Sequence, residues 1–433
     1  MAIFGDVTEV TLGAELSQPF VVYAKVIIGD WVMASTPQNF LALKVDKITN
    51  GSGNFSMTLF DPTWGEIERA IIEGKGKLSF EYGFVNSDGV IVKKSGLTDG
   101  LVTSFSIDFS MRGCTLHITG LISGYEMNTV KVIRSYSGMK IHEIAKQIAE
   151  DSGIFGKIVV QPTKTVLSPD NPEESDFVEK NWFQAKETDL QFIIQKLVQF
   201  AQPEVGTGAY VVAMFTNKDG IKEFHFHTNT YTEETAQSSG QGAESVPAYT
   251  LFKNKNTPVL DFKPQWDMSL TQIMGGTSTW TATFDPTTMR LVSEEATPKT
   301  HPSDKDGKSW QDPNIMNKDI MESIKEETAI TGQVPDAPAS SDQATTQLAS
   351  TYATRTMGGI TANLDIIGDP TVDPLTKIAV IVYVPSGNDG AAGNIHWISG
   401  YYRILTITDT IQGGRFVTSF NLVTEGQPPI TLV

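Results

Sequence analysis

Two stretches of this chain, LVTSFSIDFSMRGCTLHITG (Leu101 to Gly120) and RILTITDTIQGGRFVTSFNLV (Arg403 to Val423), alternate apolar with polar residues in paired runs broken by glycine. Alternation with a period of two marks a strand with one buried face. Glycine between two such runs marks a hairpin, turning at Gly113 in the first and at Gly413-Gly414 in the second, with positive φ expected at Gly113. A chain that carries one hairpin texture twice is confined to a mainly β fold with an internal duplication.

The flanks support that reading. Leu41, Leu43 and Val45 alternate, as do Phe55, Met57 and Leu59, and Leu78, Phe80 and Tyr82. A strand ending Phe60-Asp61-Pro62 leads into a short amphipathic helix, Trp64 to Ile72, which the glycine at 74 closes. Later, a strand ending Phe284-Asp285-Pro286 is the expected counterpart of Phe60-Asp61-Pro62. It is followed by a polar insertion, a helix over Ser340 to Thr356, strands at Ile360 to Ile367 and Ile378 to Val384, and the second hairpin. The insertion, about 287–340, loses periodicity apart from one short helical stretch, Ile315 to Ile324, and its polarity predicts an extended or partly mobile segment, with ordering on assembly as the hypothesis to test.

Between the two β regions the period changes to that of a helix. Ile141, Ile144, Ala145, Ile148 and Ala149 form one apolar face ended by Ser152-Gly153, and Leu190, Ile193, Ile194, Leu197 and Val198 form another. Thr188 and Gln191 have the spacing of a capping box. Ile158-Val159-Val160 predicts a strand, Ala209 to Phe215 and Ile221 to His227 predict a hairpin across Asn217 to Gly220, and Gly240 to Pro247 predicts a loop. The expected fold is therefore α+β, mainly β: a tube-like β barrel over residues 1–125, an α/β domain with paired amphipathic helices over 126–255, and a second tube-like barrel over 256–433. Three copies of a two-barrel chain would present six similar faces around one axis, letting a trimer mate with a six-fold ring and a three-fold spike.

Composition narrows the function. A net charge of −17 argues against holding nucleic acid through its phosphates, which calls for basic patches, and suits a conduit that must let DNA pass. No run approaches the roughly 18 apolar residues of a membrane span, so no membrane anchor is expected. The start, Met1 to Asp6, lacks a basic segment followed by an apolar one, so synthesis in a cytoplasm is expected. Cys114 is the single cysteine, which precludes an intrachain disulfide, and its place beside Leu116 and Ile118 reads as core.

The segment SGMKIHEIAKQIAEDSGI (Ser137 to Ile154), followed by FQAKETDLQFIIQKLVQFA (Phe183 to Ala201), resembles the paired-helix signature of the phage baseplate-hub family, which includes the late-control protein D, T-even and VgrG-type hubs. Gln184, Glu187, Thr188, Asp189, Phe192, Ile193 and Leu197 stand at the family's positions. FDPTT (Phe284 to Thr288), ANLDIIGDPTVDP (Ala362 to Pro374) and the closing hairpin resemble further family stretches. Departures are Leu375, where the family has a turn glycine, Asp409, near where it has a histidine, and the 287–340 segment, which has no counterpart. The resemblance implies a homotrimeric structural hub of a contractile tail or related injection machine, lining the lumen in the virion after assembly in the host cytoplasm. It implies as partners the tail tube or its initiator, the tape-measure protein, other baseplate proteins and, because no spike is fused after the second barrel, a separate spike.

Rival chemistries have little support. Phe224-His225-Phe226-His227 puts two imidazoles on one strand face beside Glu223, a start toward a metal site without an evident third ligand; a solvated strand face with phenylalanines inward is the simpler expectation. Glu66 and Glu68 face differently on a helix, and Glu294-Glu295 and Glu326-Glu327 sit in polar sequence unsuited to a desolvated pocket, so a cell-wall hydrolase is disfavoured. No catalytic, cofactor-binding or metal-ligating residue is assigned. Trp280, Trp310 and Trp397 could stack on sugars, which keeps a glycan-binding or tail-tip adhesion protein of a non-contractile tail as the alternative.

Overall fold

The computed structural model describes residues 7–11, 20–34, 40–165, 167–168, 178–179, 181–204, 210–228, 246–253, 256–266, 279–285, 290–296, 360–384, 395–396 and 398–426. Most of them are strand, in two β units that flank an α/β block.

The first strand of the chain, β1 (Val7–Glu9), joins the second unit; the first unit contains β2 (Phe20–Ile28), β3 (Trp31–Ala34), β4 (Phe40–Ile48), β5 (Gly53–Asp61), α1 (Glu66–Glu73), β6 (Lys77–Asn86), β7 (Ile91–Lys94), β8 (Thr98–Ser110) and β9 (Gly113–Ile122). Phe55, Met57 and Leu59 are buried, as are Leu78, Phe80 and Tyr82, which the alternation predicts. Leu43 and Val45 follow the same rule, but Leu41 is exposed because a bulge between Phe40 and Ala42 turns it out of register. The β8–β9 turn needs Gly113, with φ +145° and no room for a Cβ, which would lie 2.5 Å from the Asp61 carbonyl. Helix α1 starts from Asp61: its carboxylate accepts from the Thr63 N–H (2.8 Å), the Thr63 hydroxyl (2.5 Å), the Gly65 N–H (3.0 Å) and the Ile67 N–H (3.2 Å). At its far end Gly74 is not left-handed; Lys75 and Gly76 take positive φ instead.

The α/β block holds β10 (Lys131–Tyr136), α2 (Ile141–Ser152), β11 (Lys157–Val160), the two-residue pair β12 (Leu167–Ser168) and β13 (Val178–Glu179), and β14 (Trp182–Thr188). Next comes a helix of three segments, α3 (Asp189–Phe192), a π-helical turn Ile193–Leu197 and α4 (Val198–Phe200), and then β15 (Tyr210–Thr216) and β16 (Lys222–Thr228). The expected box is formed: Thr188 Oγ1 accepts from Gln191 N (3.2 Å) and Gln191 Oε1 accepts from Thr188 N (3.3 Å). Helix α2 ends at Gly153, in the left-handed conformation. The apolar faces of both helices bury against Tyr210, Val212, Met214, Phe224 and Phe226 of the hairpin.

The second unit contains β17 (Val246–Leu251), β18 (Val259–Trp266), β19 (Thr279–Asp285), β20 (Arg290–Ala296), β21 (Ile360–Ile367), β22 (Lys377–Val382), β23 (Gly400–Gln412) and β24 (Arg415–Gly426). Val246 and Pro247, expected in a loop, open β17, which pairs with β22 and takes β1 along its other edge. The helices expected at Ile315 to Ile324 and Ser340 to Thr356, and the 287–340 insertion apart from β20, lie outside the described residues.

The duplication is present in the strand pairings. In the first unit the neighbours run β4-β5-β9-β8-β6, and in the second β18-β21-β24-β23-β22, all antiparallel; beyond them the units differ, β2 joining β6 antiparallel and β17 joining β22 parallel. Registers coincide as well. Lys77 to Phe80 pair with Leu101 to Thr98, as Lys377 to Val380 pair with Arg403 to Gly400. The hairpin bulges fall at Val102/Ser104 and Ile404/Thr406, and the edge-strand bulges at Phe40/Ala42 and Val259/Asp261. One expectation is corrected. Phe284-Asp285 ends β19, which among the described residues pairs only with β20. The true counterpart of Asp61-Pro62-Thr63 is Asp369-Pro370-Thr371 after β21, where Asp369 Oδ1 likewise accepts from the Thr371 N–H (3.1 Å) and hydroxyl (2.7 Å).

Candidate functional site

The second unit is welded to the first along one strand. On one edge, β23 pairs first with β22 through Gly400 to Arg403 and then with β4, Thr406 to Gln412 lying against Ile48 to Ala42. The two units thereby share one sheet. Ile411 and Phe416, from the far end of the second hairpin, complete the core of the first unit, and Phe416 packs on Tyr82 and Phe84 at centroid distances of 5.7 and 5.2 Å.

Polar groups fix the seam. Asp409 is buried and accepts from the Tyr82 hydroxyl and the Thr418 hydroxyl, each at 2.5 Å. Burial drives the Asp409 carboxyl upward against the opposing pull of Lys47 and these two donors, and burial together with Asp409 drives the Tyr82 phenol upward. Thr408 Oγ1 donates to Asp46 Oδ1 (2.7 Å), and Lys93 pairs with Asp369 across the junction. Asp409, which departs from the family's histidine, is thus a structural acceptor between the units.

The imidazoles of His225 and His227 lie at a second junction, where the α/β block meets both units. His225 Nε2 is 2.8 Å from Glu223 Oε2, His225 Nδ1 is 3.2 Å from His227 Nε2, and His227 Nδ1 is 2.7 Å from the Thr228 carbonyl. A carbonyl only accepts, so His227 donates through Nδ1 and its Nε2 is left to accept from His225. Phe224 and Phe226 point inward, as expected, but the histidine face is not solvated. Phe215 stacks on His225, and Leu375 packs with Val211, Ala213 and Phe215 over that side of the hairpin. Burial lowers the His227 pKa to about 3. Among the described residues no three His, Cys, Asp or Glu side chains group as metal ligands.

Beside this triad, Lys47 donates to the Val372 carbonyl (3.2 Å) and lies 4.0 Å from Asp373 Oδ1, while Arg403 donates to the Leu375 carbonyl (2.6 Å). Burial raises Asp373 to about 6. Leu375, in place of the family's turn glycine, holds φ at +67° with its side chain buried. The block is further tied to the first unit by Asn50, whose N–H donates to Val212 O (2.6 Å) and whose Oδ1 accepts from Val212 N (2.9 Å).

The remaining candidates do not converge. Cys114 is buried among Leu116, Ile118 and Met57, and burial raises its thiol pKa, opposite to what a nucleophile requires. Glu66 and Glu68 sit in the first turn of α1. The side chains of Trp280, Glu294 and Glu295, together with Trp310, Glu326, Glu327 and Trp397, lie outside the described residues. One feature escaped the sequence reading. At the β8–β9 tip Phe109 and Met111 are strongly exposed, and Phe109 stacks on Trp64 at 6.4 Å. The turn pairings Ser110–Gly113 and Gln412–Arg415 put Phe109 where the second hairpin has the buried Ile411, a correspondence that the turn glycines, which do not align, conceal in the sequence.

Comparison with known proteins bears on the fold. No family model matches the sequence, and no curated protein does. Among solved structures, the tail protein from Neisseria meningitidis MC58 matches with a TM-score of 0.54 at 12% identity, over 94% of this chain and 98% of that one. The 43 kDa tail protein of prophage MuSo2 from Shewanella oneidensis matches with 0.52 at 10% identity, over 94% and 99%. The fold is that of these tail proteins. A chain of the lidded Francisella PdpA-VgrG complex matches at 0.50 and 10% identity, over 94% of this chain and 52% of that one. The likeness to hub proteins read from the sequence is therefore matched by the architecture.

Proposed function

We propose that this chain is a structural, non-enzymatic hub of a contractile tail or related injection machine. Three copies form a ring, with six β units around a lumen that continues the tail tube. The ring receives the tube or tube initiator and the end of the tape-measure protein on one side. It holds a separate three-fold spike on the other, with further baseplate proteins at its periphery. The hub resides in the tail baseplate of the virion and is assembled in the host cytoplasm.

One observation carries this reading: two β units of matching strand order and register are joined edge to edge within a single sheet. Such a chain is a covalent pair of equivalent building blocks, so a three-fold assembly offers six similar faces. The acidic balance of the chain suits a passage for DNA that does not bind it.

The test is the mass of the purified protein in solution together with low-resolution images. A trimer imaged as a ring with a central opening is the expected result. A particle without three-fold symmetry or without an opening would refute the assignment.

A further inference from the structure

The contact between the two units inside one chain specifies a second contact that one chain cannot make for itself. Within the chain, the edge strand of unit one (β4) pairs with the outer half of the long hairpin strand of unit two (β23). The duplication supplies the same two surfaces again, as β18, the counterpart of β4, and as the outer half of β8, the counterpart of Thr406 to Gln412. Among the described residues β18 pairs only with β21, and β8 pairs with β6 only as far as Leu101, so Ser104 to Ser110 have β9 on one side and no strand on the other. We infer that β18 of one copy pairs antiparallel with the outer half of β8 of the next copy, in the register that β4 and β23 use within the chain.

The register follows residue by residue. Coincident bulges fix β18 on β4, so that Asp261, Phe262, Lys263, Pro264 and Gln265 take the places of Ala42, Leu43, Lys44, Val45 and Asp46. The hairpin turns and bulges likewise fix Ser106 to Ser110 on Thr408 to Gln412. Transferring the pairs Lys44–Thr410 and Leu43–Ile411 sets Lys263 opposite Asp108 and Phe262 opposite Phe109. The first is a pair of opposite charges and the second a pair of aromatic rings, both favourable across a ladder.

Exposure agrees with a missing neighbour. Ile411, covered by the first unit, is 3% exposed, whereas Phe109 at the equivalent place is 69% exposed. Ser106, Asp108 and Ser110 are exposed along the same stretch. Phe262 edges onto Tyr402 in the second core, where an incoming Phe109 would extend that core as Ile411 extends the first. The opposing reading is a guarded edge: Asp261, Lys263 and Pro264 are residues that block strand addition, and Pro264 lacks an N–H for the ladder. Within one chain Lys263 meets Asp261 and Asp108 meets His117, both at exposed sites where a partner can be exchanged, and a guard does not account for the apolar tip.

A contact between unlike surfaces repeats head to tail, and it closes into a ring when its rotation divides the circle, as the proposed three-fold ring requires. This inference rests on the proposed ring but fixes its joint, and the two can fail separately. In the full chain with Cys114→Ala, the pair Asp108→Cys with Lys263→Cys should give disulfide-linked dimers and trimers under mild oxidation. The shifted pair Asp108→Cys with Gln265→Cys should give far less. Independently, Lys263→Glu or Asp108→Lys alone should raise the concentration needed for assembly by about tenfold, and the two together should restore it. Circular dichroism would check that each variant folds. Equal linkage by both cysteine pairs, or assembly indifferent to both charge changes, would overturn the joint while leaving the ring in place. A native protein that stays monomeric, with neither pair linked, would remove both.

Discussion

The seat of Phe416, the second-unit ring that reaches the first core, is tested by a pair of substitutions that meet in space. A Cβ added to Gly368 would lie 2.2 to 2.5 Å from the ring carbons of Phe416 nearest its own backbone, a part of the side chain that cannot swing aside. Gly368 is paired to the hairpin through its N–H to the Phe416 carbonyl (3.0 Å), so the backbone cannot retreat without breaking the sheet. Gly368→Ala should therefore destabilise by about 1–3 kcal/mol, as overpacking does. Phe416→Ala, which empties a buried site between Tyr82 and Phe84, should cost about 3–5 kcal/mol. In the double variant the new methyl has space, so its cost vanishes. The total should fall short of the sum by about the overpacking energy, a coupling of roughly 1–3 kcal/mol. Urea denaturation of the four proteins at one concentration, followed by tryptophan fluorescence, measures each term. Additive effects would show that Phe416 does not lie over Gly368, and the described seat of its ring at the tip of the second hairpin would be wrong.

Further outcomes follow from the buried charges and caps. Asp373, raised to about 6 by burial and facing Lys47, Lys218, Glu223 and His225, binds its proton more tightly folded than unfolded. Its burden on stability is therefore present above pH 6 and lifted as pH falls toward 3.8, so Asp373→Asn should stabilise by up to about 3 kcal/mol at pH 8 and by little at pH 4, read from urea midpoints at both. His227 has the opposite sign: a folded pKa of about 3 against 6.5 means that stability is intact above pH 6.5 and lost as pH falls below it. Its imidazole resonances should stay those of the neutral ring at pH 5, and a titration midpoint near 6.5 would refute its burial. Thr188→Ala should cost about 1 kcal/mol and speed amide exchange at Gln191, the donor it leaves without an acceptor.

Local chemistry made much of the fold legible in sequence. The Thr188–Gln191 box, the hairpin turn at Gly113 and the stop at Gly153 depend on residues a few places apart, and each stands where its pattern puts it. Bulges were not legible: Leu41 alternates correctly on paper, and only the partner strand shows that the register slips beside it. Phe284-Asp285-Pro286 misled because it copies a tripeptide without the surroundings, whereas Asp369 precedes its hairpin at a distance close to that of Asp61. The histidine pair shows the same limit. Its common face was readable from the strand period, but what covers that face, Leu375, comes from a distant turn. Likewise nothing near Phe109 in the sequence signals its exposure; its counterpart Ile411 is equally apolar, and only what lies opposite each strand differs.

The residues that finish the first core arrive late. Ile411 and Phe416 are translated long after β2 through β9, so an emerging polypeptide must carry an unfinished unit, with the edge of β4 open, until the β23–β24 hairpin leaves the ribosome. Folding of the N-terminal portion is thereby made conditional on synthesis of β23 and β24, and a truncated product lacking them could not seal its first core.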